Sequence, residues 1–258
     1  MKLGIIGFGN MGSAICDGLL YKNVLNSKDI YAYSRNREKL KEECDSRHIN
    51  QTSKIDDLVK NVDVIIISTP ARIFKDILYE IKDLAKNKIL ISVCSGVYYD
   101  EIKNELGDLH FIGTISSTPI RFAEGIVIAD NNNSLSNDEI DTFNELFKNV
   151  ALVKFVDKEK MDIASTISGC GPSFVAMFIE ALGDAGCKYG LSREESYEIA
   201  SQMLIGSGTS YLKSKKHPGI LKDEVASPKG TTIRGIIKLE ECGFRNAIIK
   251  AIEEISDR

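Results

Sequence analysis

The hydrophobic pattern changes character near residue 157. Before it, short continuous apolar runs alternate with amphipathic stretches. Leu3-Gly4-Ile5-Ile6, Asp63-Val64-Ile65-Ile66-Ile67-Ser68 and Ile89-Leu90-Ile91-Ser92-Val93 are apolar at successive positions. Strands of a parallel sheet covered on both faces need that pattern. Further strands are expected at 29–34, near 48–50, and at 110–114, 125–129 and 150–155. Helices are expected over 37–47, 55–62, 74–84, 99–106 and 139–148. The third of these places Phe74, Ile77, Leu78, Ile81 and Leu84 at helical spacing. Ser136 and Glu139 have the spacing of a capping box at the start of the fifth. The alternation predicts an α/β unit.

Beyond 157 no strand pattern recurs. Helical periods run over 158–168 and 173–185, from Ser192 to about 212, and in one or two pieces over 233–255. The chain therefore divides, by expectation, into an α/β domain (1–157) and an all-helical domain (158–258). Gly169-Cys170-Gly171-Pro172 is expected to break the helix before it, with Pro172 opening the next. The stretch 173–185 is apolar almost all round, so it must be covered on every side. A domain of about a hundred residues can hardly do that alone. A second subunit is expected to cover it.

Composition narrows the function classes. The 258 residues carry a net charge of −4 and no long basic block. Nucleic acid and anionic membrane are therefore not expected as partners. No apolar run approaches the roughly 20 residues that span a bilayer. Met1-Lys2 followed by glycine-punctuated sequence does not read as a secretion signal. The six cysteines are scattered with no Cys-x-x-Cys, which suits reduced thiols in a cytoplasmic protein. The three histidines have no ligand spacing, and no metal site is expected.

The first apolar run feeds Gly7-Phe8-Gly9-Asn10-Met11-Gly12, and helical periodicity follows. Strand, glycine turn and helix in that order form a dinucleotide-binding signature. Gly7 allows the turn, Gly9 lets a pyrophosphate approach the backbone, and Gly12 lets the helix lie close on the strand. The N–H groups of the helix start then face the phosphates. The bland alternative is a structural glycine turn. About twenty residues on, where an NAD site carries a carboxylate, this chain has Ser34-Arg35-Asn36-Arg37. Arg35 or Arg37 would pair with a 2′-phosphate and Ser34 would donate to it, so NADPH is preferred over NADH. The alternative is that both arginines are solvated loop residues. Ser68-Thr69-Pro70 and Ser95 end their strands at the carboxyl edge, where cofactor contacts are expected. In the second half, Ser227 to Thr232 precedes a helix start and makes a plausible carboxylate cradle.

The specific pieces of the second half are Ser168-Gly-Cys-Gly-Pro-Ser-Phe174, Glu180-Ala-Leu-Gly-Asp-Ala185, His217-Pro-Gly219, Leu221-Lys-Asp223 and Ser227-Pro-Lys-Gly-Thr-Thr-Ile233. With the glycine turn, in this order and across nearly the whole chain, the sequence resembles the Δ1-pyrroline-5-carboxylate reductase family. The resemblance implies an N-terminal Rossmann domain and a helical C-terminal domain that interlocks between subunits. It implies NAD(P)H as hydride donor, a cyclic imine carboxylate as substrate, proline as product, and a homodimer that is often built into a decamer. It also implies that Thr232 hydrogen-bonds the imine nitrogen. Gly230 and Thr231 N–H groups, with Ser227, would bind the carboxylate. The alternative for the threonines is helix capping.

The chain departs from that family at four places. Ile115-Ser116-Ser117-Thr118-Pro119 stands for the usual Met-Pro-Asn-Thr-Pro. Gly113 stands for the arginine before it, Thr69-Pro70 for Lys-Pro, and Lys229-Gly230 for paired glycines. Two other readings therefore stand beside proline formation. One is reduction of another cyclic imine acid, such as the six-membered piperideine carboxylate. The other is a reductase-like protein without catalysis.

Overall fold

The structure, a computed structural model, describes residues 1–256. Cα proximity divides the chain into Met1–Gly169 and a second unit from Cys170 onward.

The first unit holds one eight-stranded sheet. Its strands are β1 (Leu3–Ile6), β2 (Ile30–Tyr33), β3 (Asn50–Gln51), β4 (Val64–Ile67), β5 (Ile89–Ser92), β6 (His110–Ser116), β7 (Gly125–Asp130) and β8 (Ala151–Val156). They lie in the order β3-β2-β1-β4-β5-β6-β7-β8. The helices between them are α1 (Asn10–Tyr21), α2 (Arg37–Arg47), α3 (Ile55–Asn61), α4 (Phe74–Ile81), α5 (Tyr99–Leu106) and α6 (Asn137–Phe147), and α7 (Lys158–Ser165) follows β8. Every residue of β1, β4 and β5 is buried, as their apolar runs require. One hydrophobic cluster, containing Ile15, Leu19 and Phe143, lies on one face. Another, containing Leu58, Phe74, Leu78 and Phe111, lies on the other.

The sheet is parallel, as expected of a doubly wound domain, except at one pair of strands. β1 to β6 are parallel, but β7 runs antiparallel to β6, and β8 is parallel to β7. The link from Ser116 to Gly125 contains only a 3₁₀ turn over Thr118–Phe122. A parallel crossover needs about a dozen residues or more, so this short link returns the chain antiparallel.

The second unit is helical: α8 (Gly171–Lys188), α9 (Arg193–Ser214), α10 (Pro218–Glu224), α11 (Thr231–Glu241) and α12 (Phe244–Ser256). Ser192 and Glu195 form the full capping box of α9. α10 escaped the sequence pattern because it is one short proline-started piece. Gly243, at φ 73°, separates α11 from α12. The Gly169–Pro172 stretch does not break the helix as expected. Thr166–Cys170 instead form a π-type turn, and the helical run Lys158–Lys188 is 31 residues long. By length and composition alone this run is apolar enough to cross a membrane, with mean hydropathy 1.2 over its best stretch. That corrects the expectation that no segment approaches spanning length.

From Cys170 onward, only Gly183, Ser196 and Ala200 are buried among the described residues. Met177, Ile199, Ile205 and Ile249 are all more than half exposed. A unit with so little interior holds no core of its own in one chain.

Candidate functional site

The cleft sits where the sheet reverses its winding. β1 lies between β2 and β4, so successive crossovers leave it in opposite directions. The carboxyl ends of neighbouring strands separate at such a point and open a crevice. Here the crevice has a volume of about 460 Å³. Gly7, Phe8 and Gly9 line it from the β1 end, Ser34 and Arg35 from the β2 end, and Ser68, Thr69 and Pro70 from the β4 end.

The three glycines differ in what surrounds them. Gly7 has φ 95°, and its amide donates to the Tyr33 carbonyl at 2.8 Å. A Cβ on Gly12 would lie 2.3 Å from the Gly7 carbonyl oxygen, so the helix lies close on the turn. A Cβ on Gly9 would meet nothing within 4 Å. Gly9 is also the N-cap of α1, and no side chain caps that helix. The first N–H groups of α1 therefore have no side-chain partner. An open cradle, uncapped N–H groups and a positive helix end fit a pyrophosphate. Phe8 itself is buried, with the Arg47 guanidinium 5.6 Å from its ring centre and bound to Asp17 at 2.6 Å.

Asn36 caps α2, its Oδ1 accepting from the Lys39 amide at 3.1 Å. That capped first turn brings Lys39 to the cleft beside Arg35, while Arg37 does not line it. Lys39 was missed in the sequence; its signal was its place in the first turn of the helix that Asn36 caps. Asn10, Met11, Gly12 and Ser95 do not line the cavity either, and Ser95 is exposed. The Thr69 Oγ1 is buried without a hydrogen-bond partner. The Cys94 Sγ–H donates to the Thr69 carbonyl at 2.9 Å and to the Ile67 carbonyl at 3.4 Å, which holds the β4 exit in place. Burial pushes the Cys94 thiol above its ordinary pKa, so it serves there as a neutral donor.

Ser227, Gly230, Thr231 and Thr232 lie together at the start of α11, in the second unit. Gly230 is the N-cap, with no side-chain cap, and its amide donates to the Ser227 carbonyl at 3.0 Å. A Cβ on Gly230 would lie 2.5 Å from Ser227 Oγ and 3.0 Å from the Ser227 carbonyl oxygen, so a side chain there would have to displace the serine hydroxyl. Lys229 adopts φ 60°, a left-handed conformation that glycine takes more easily. The threonine side chains do not cap α11. Among the described residues no group of three or more His, Cys, Asp or Glu is placed to hold a metal.

A doubly wound sheet with an open glycine cradle at its switch point defines a dinucleotide-dependent oxidoreductase. Residues 2–96 match the family described as NADP oxidoreductase coenzyme F420-dependent, and residues 158–258 match pyrroline-5-carboxylate reductase dimerisation. The chain is 35% identical to pyrroline-5-carboxylate reductase of Treponema pallidum over 98% of its length and 97% of that protein's. It is 33% identical to the Arabidopsis thaliana enzyme, over 100% of this chain and 94% of that one. A crystal structure of Plasmodium falciparum pyrroline carboxylate reductase with NADP bound superposes with a TM-score of 0.87. It is 30% identical, with 100% of this chain and 96% of that one covered. The chain belongs to the pyrroline-5-carboxylate reductase family.

Proposed function

We propose that the protein reduces the C=N bond of Δ1-pyrroline-5-carboxylate to L-proline with NADPH. Membership of the family supports the substrate. The observation that carries the cofactor half is the open Gly9 cradle at the uncapped start of α1. When bound there, the nicotinamide supplies a hydride. The chain's own residues bind and orient. Gly7, Phe8, Gly9, Asn10, Met11 and Gly12 form the phosphate turn. Arg35 and Lys39 pair with a 2′-phosphate, which underlies the preference for NADPH over NADH. Ser68, Thr69, Pro70 and Ser95 border the cofactor at the strand ends.

Thr232 holds the imine nitrogen as a hydrogen-bond partner, while Thr231 and Gly230 N–H groups and Ser227 hold the carboxylate. A protonated imine accepts hydride readily, so neither role needs a shifted pKa. Lys229 adds a positive charge beside that carboxylate. Residues 1–157 act as the cofactor domain and 158–258 as the dimerisation and substrate domain. The apolar helical surface is covered by a second copy, in a homodimer that extends to a decamer. The six cysteines are all free, which suits a cytoplasmic location.

The decisive experiment is NADPH oxidation by the pure protein against a panel of cyclic imines. Turnover of pyrroline-5-carboxylate above the others is expected. Turnover restricted to a six-membered imine carboxylate would transfer the assignment to that substrate. Tight NADPH binding with no turnover across the panel would make the protein a non-catalytic member.

A further inference from the structure

Arg47 is the last residue of α2, and it does not line the cleft. An arginine in the last turn of a helix ordinarily stays solvated near the free carbonyls. Here its side chain is only 19% exposed. Nε donates to Asp17 Oδ1 at 2.6 Å and Nη2 donates to Asp17 Oδ2 at 3.2 Å, a two-pronged pair with α1. Nη1 donates to the Glu43 carboxylate and, at 3.1 Å, to the Glu43 carbonyl. All three nitrogens are bonded, so the guanidinium is held in one plane.

Asp17 is itself a fixed anchor. It lies 3.9 Å from Arg121 Nη2, in the 3₁₀ turn that follows β6. Beside it, a Cβ on Gly18 would lie 2.1 Å from the Ile120 carbonyl oxygen, so α1 presses directly on the backbone of that turn.

The guanidinium carbon of Arg47 lies 5.6 Å from the centre of the Phe8 ring, within reach of a cation–π contact. Phe8 stands between Gly7 and Gly9, is 7% exposed, and packs in the same cluster as Ile15 and Leu40. Glycine on either side leaves the backbone free to turn. The Phe8 side chain is therefore the handle by which this turn is held, gripped by the apolar cluster and by Arg47.

We infer that Arg47 is a positioning residue for the dinucleotide: anchored on Asp17 and Glu43, its guanidinium covers Phe8 and keeps the Gly7–Gly9 backbone in the open form that receives a pyrophosphate. The inference rests on the dinucleotide reading above. It goes beyond it in giving a residue outside the cleft control over the part of the cofactor that NADPH and NADH share. Arg35 and Lys39 act on the 2′-phosphate alone, so the two kinds of residue leave different signatures. An ion pair that only supported the fold would not distinguish one ligand from another.

The test is titration of the full chain with NADPH, NADH and adenosine 2′-monophosphate. The last carries the 2′-phosphate without a pyrophosphate and does not need the turn. Arg47→Lys keeps the charge but loses the planar fork. It is expected to bind NADPH and NADH more weakly by the same factor, about five- to tenfold, and adenosine 2′-monophosphate as the wild type does. KM for NADPH should rise by the matching factor, with kcat at saturating NADPH unchanged. The Asp17→Asn, Arg47→Met double variant removes the pair without leaving Asp17 charged and alone, and should show the same pattern. Should it fail to fold, Arg47→Lys decides by the same ratios. Unchanged dinucleotide affinity in Arg47→Lys would overturn the positioning role. So would equal losses for all three ligands, which would make Arg47 a support of the fold, or a loss confined to NADPH. Failure of the wild type to bind either dinucleotide would overturn the dinucleotide reading as well.

Discussion

A Cβ on Gly7 would lie 2.4 Å from the carbonyl oxygen of Ser68, which joins the glycine turn to the end of β4 across the mouth of the cleft. Gly9, two residues on, faces open space. Two glycines of one motif thus serve different ends. Gly7→Ala should destabilise the protein by about 2–4 kcal/mol, from positive φ and a backbone clash. Gly9→Ala should leave stability within about 0.5 kcal/mol while weakening NADPH at least about tenfold by filling the phosphate cradle. Thermal unfolding and dinucleotide titration on both variants check the pair.

Arg35 and Lys39 border the cleft and Arg37 does not. Arg35→Ala and Lys39→Ala should each weaken NADPH by about three- to tenfold and leave NADH nearly unchanged. Arg37→Ala should change neither. Equal losses for both dinucleotides would remove the 2′-phosphate from this pair.

Lys229 occupies a left-handed conformation in the turn before α11. Lys229→Gly should stabilise by about 0.5–1 kcal/mol, the relief of a side chain at φ > 0 less the entropy that glycine loses. Both Lys229→Gly and Lys229→Asn should raise KM for the imine carboxylate, because both remove the cation and asparagine keeps the conformation. An unchanged KM in both would show that the charge takes no part in substrate binding.

Asp130 is fully buried; its Oδ1 accepts from the Asn132 amide at 2.9 Å and its Oδ2 has no partner. Burial, then the neighbouring Asp100 and Glu101 carboxylates, hold its carboxyl above the ordinary range; the Asn132 and Tyr99 amides oppose this. Lys158 faces the same group and is itself raised, first through its bond to Glu101. A carboxyl raised on folding contributes stability at acid pH and loses it as pH rises through the folded pKa. Asp130→Asn should therefore stabilise the protein at pH 8, and the gain should vanish below about pH 3.9. Urea unfolding at a series of pH values reads this directly.

Ile205 on α9 is 63% exposed in the single chain. Ile205→Glu should not disturb the isolated helix. If a second copy covers this surface, it should shift the protein toward monomer by tenfold or more in dissociation constant, about 1.4 kcal/mol or above. Sedimentation across a concentration series measures the shift.

Much of this molecule follows from local pattern. β1, β4 and β5 announced themselves because strands covered on both faces leave unbroken apolar runs, and Gly7, Gly9 and Gly12 because a phosphate turn needs missing Cβ atoms at fixed spacing. Ser192 with Glu195 marked the start of α9 for the same local reason. The reversal of β7 was not local, since direction depends on how long a link must be to cross the sheet. Nor was the persistence of helix through Gly169–Pro172, where a π-type turn accommodates residues that in isolation end one. Lys39 and Arg47 looked like ordinary solvated helix residues. Only the folding of β1 and β2 to one sheet edge brought Lys39 to the cleft and Arg47 over Phe8, because distance along the chain carries no information about which side chains meet across it.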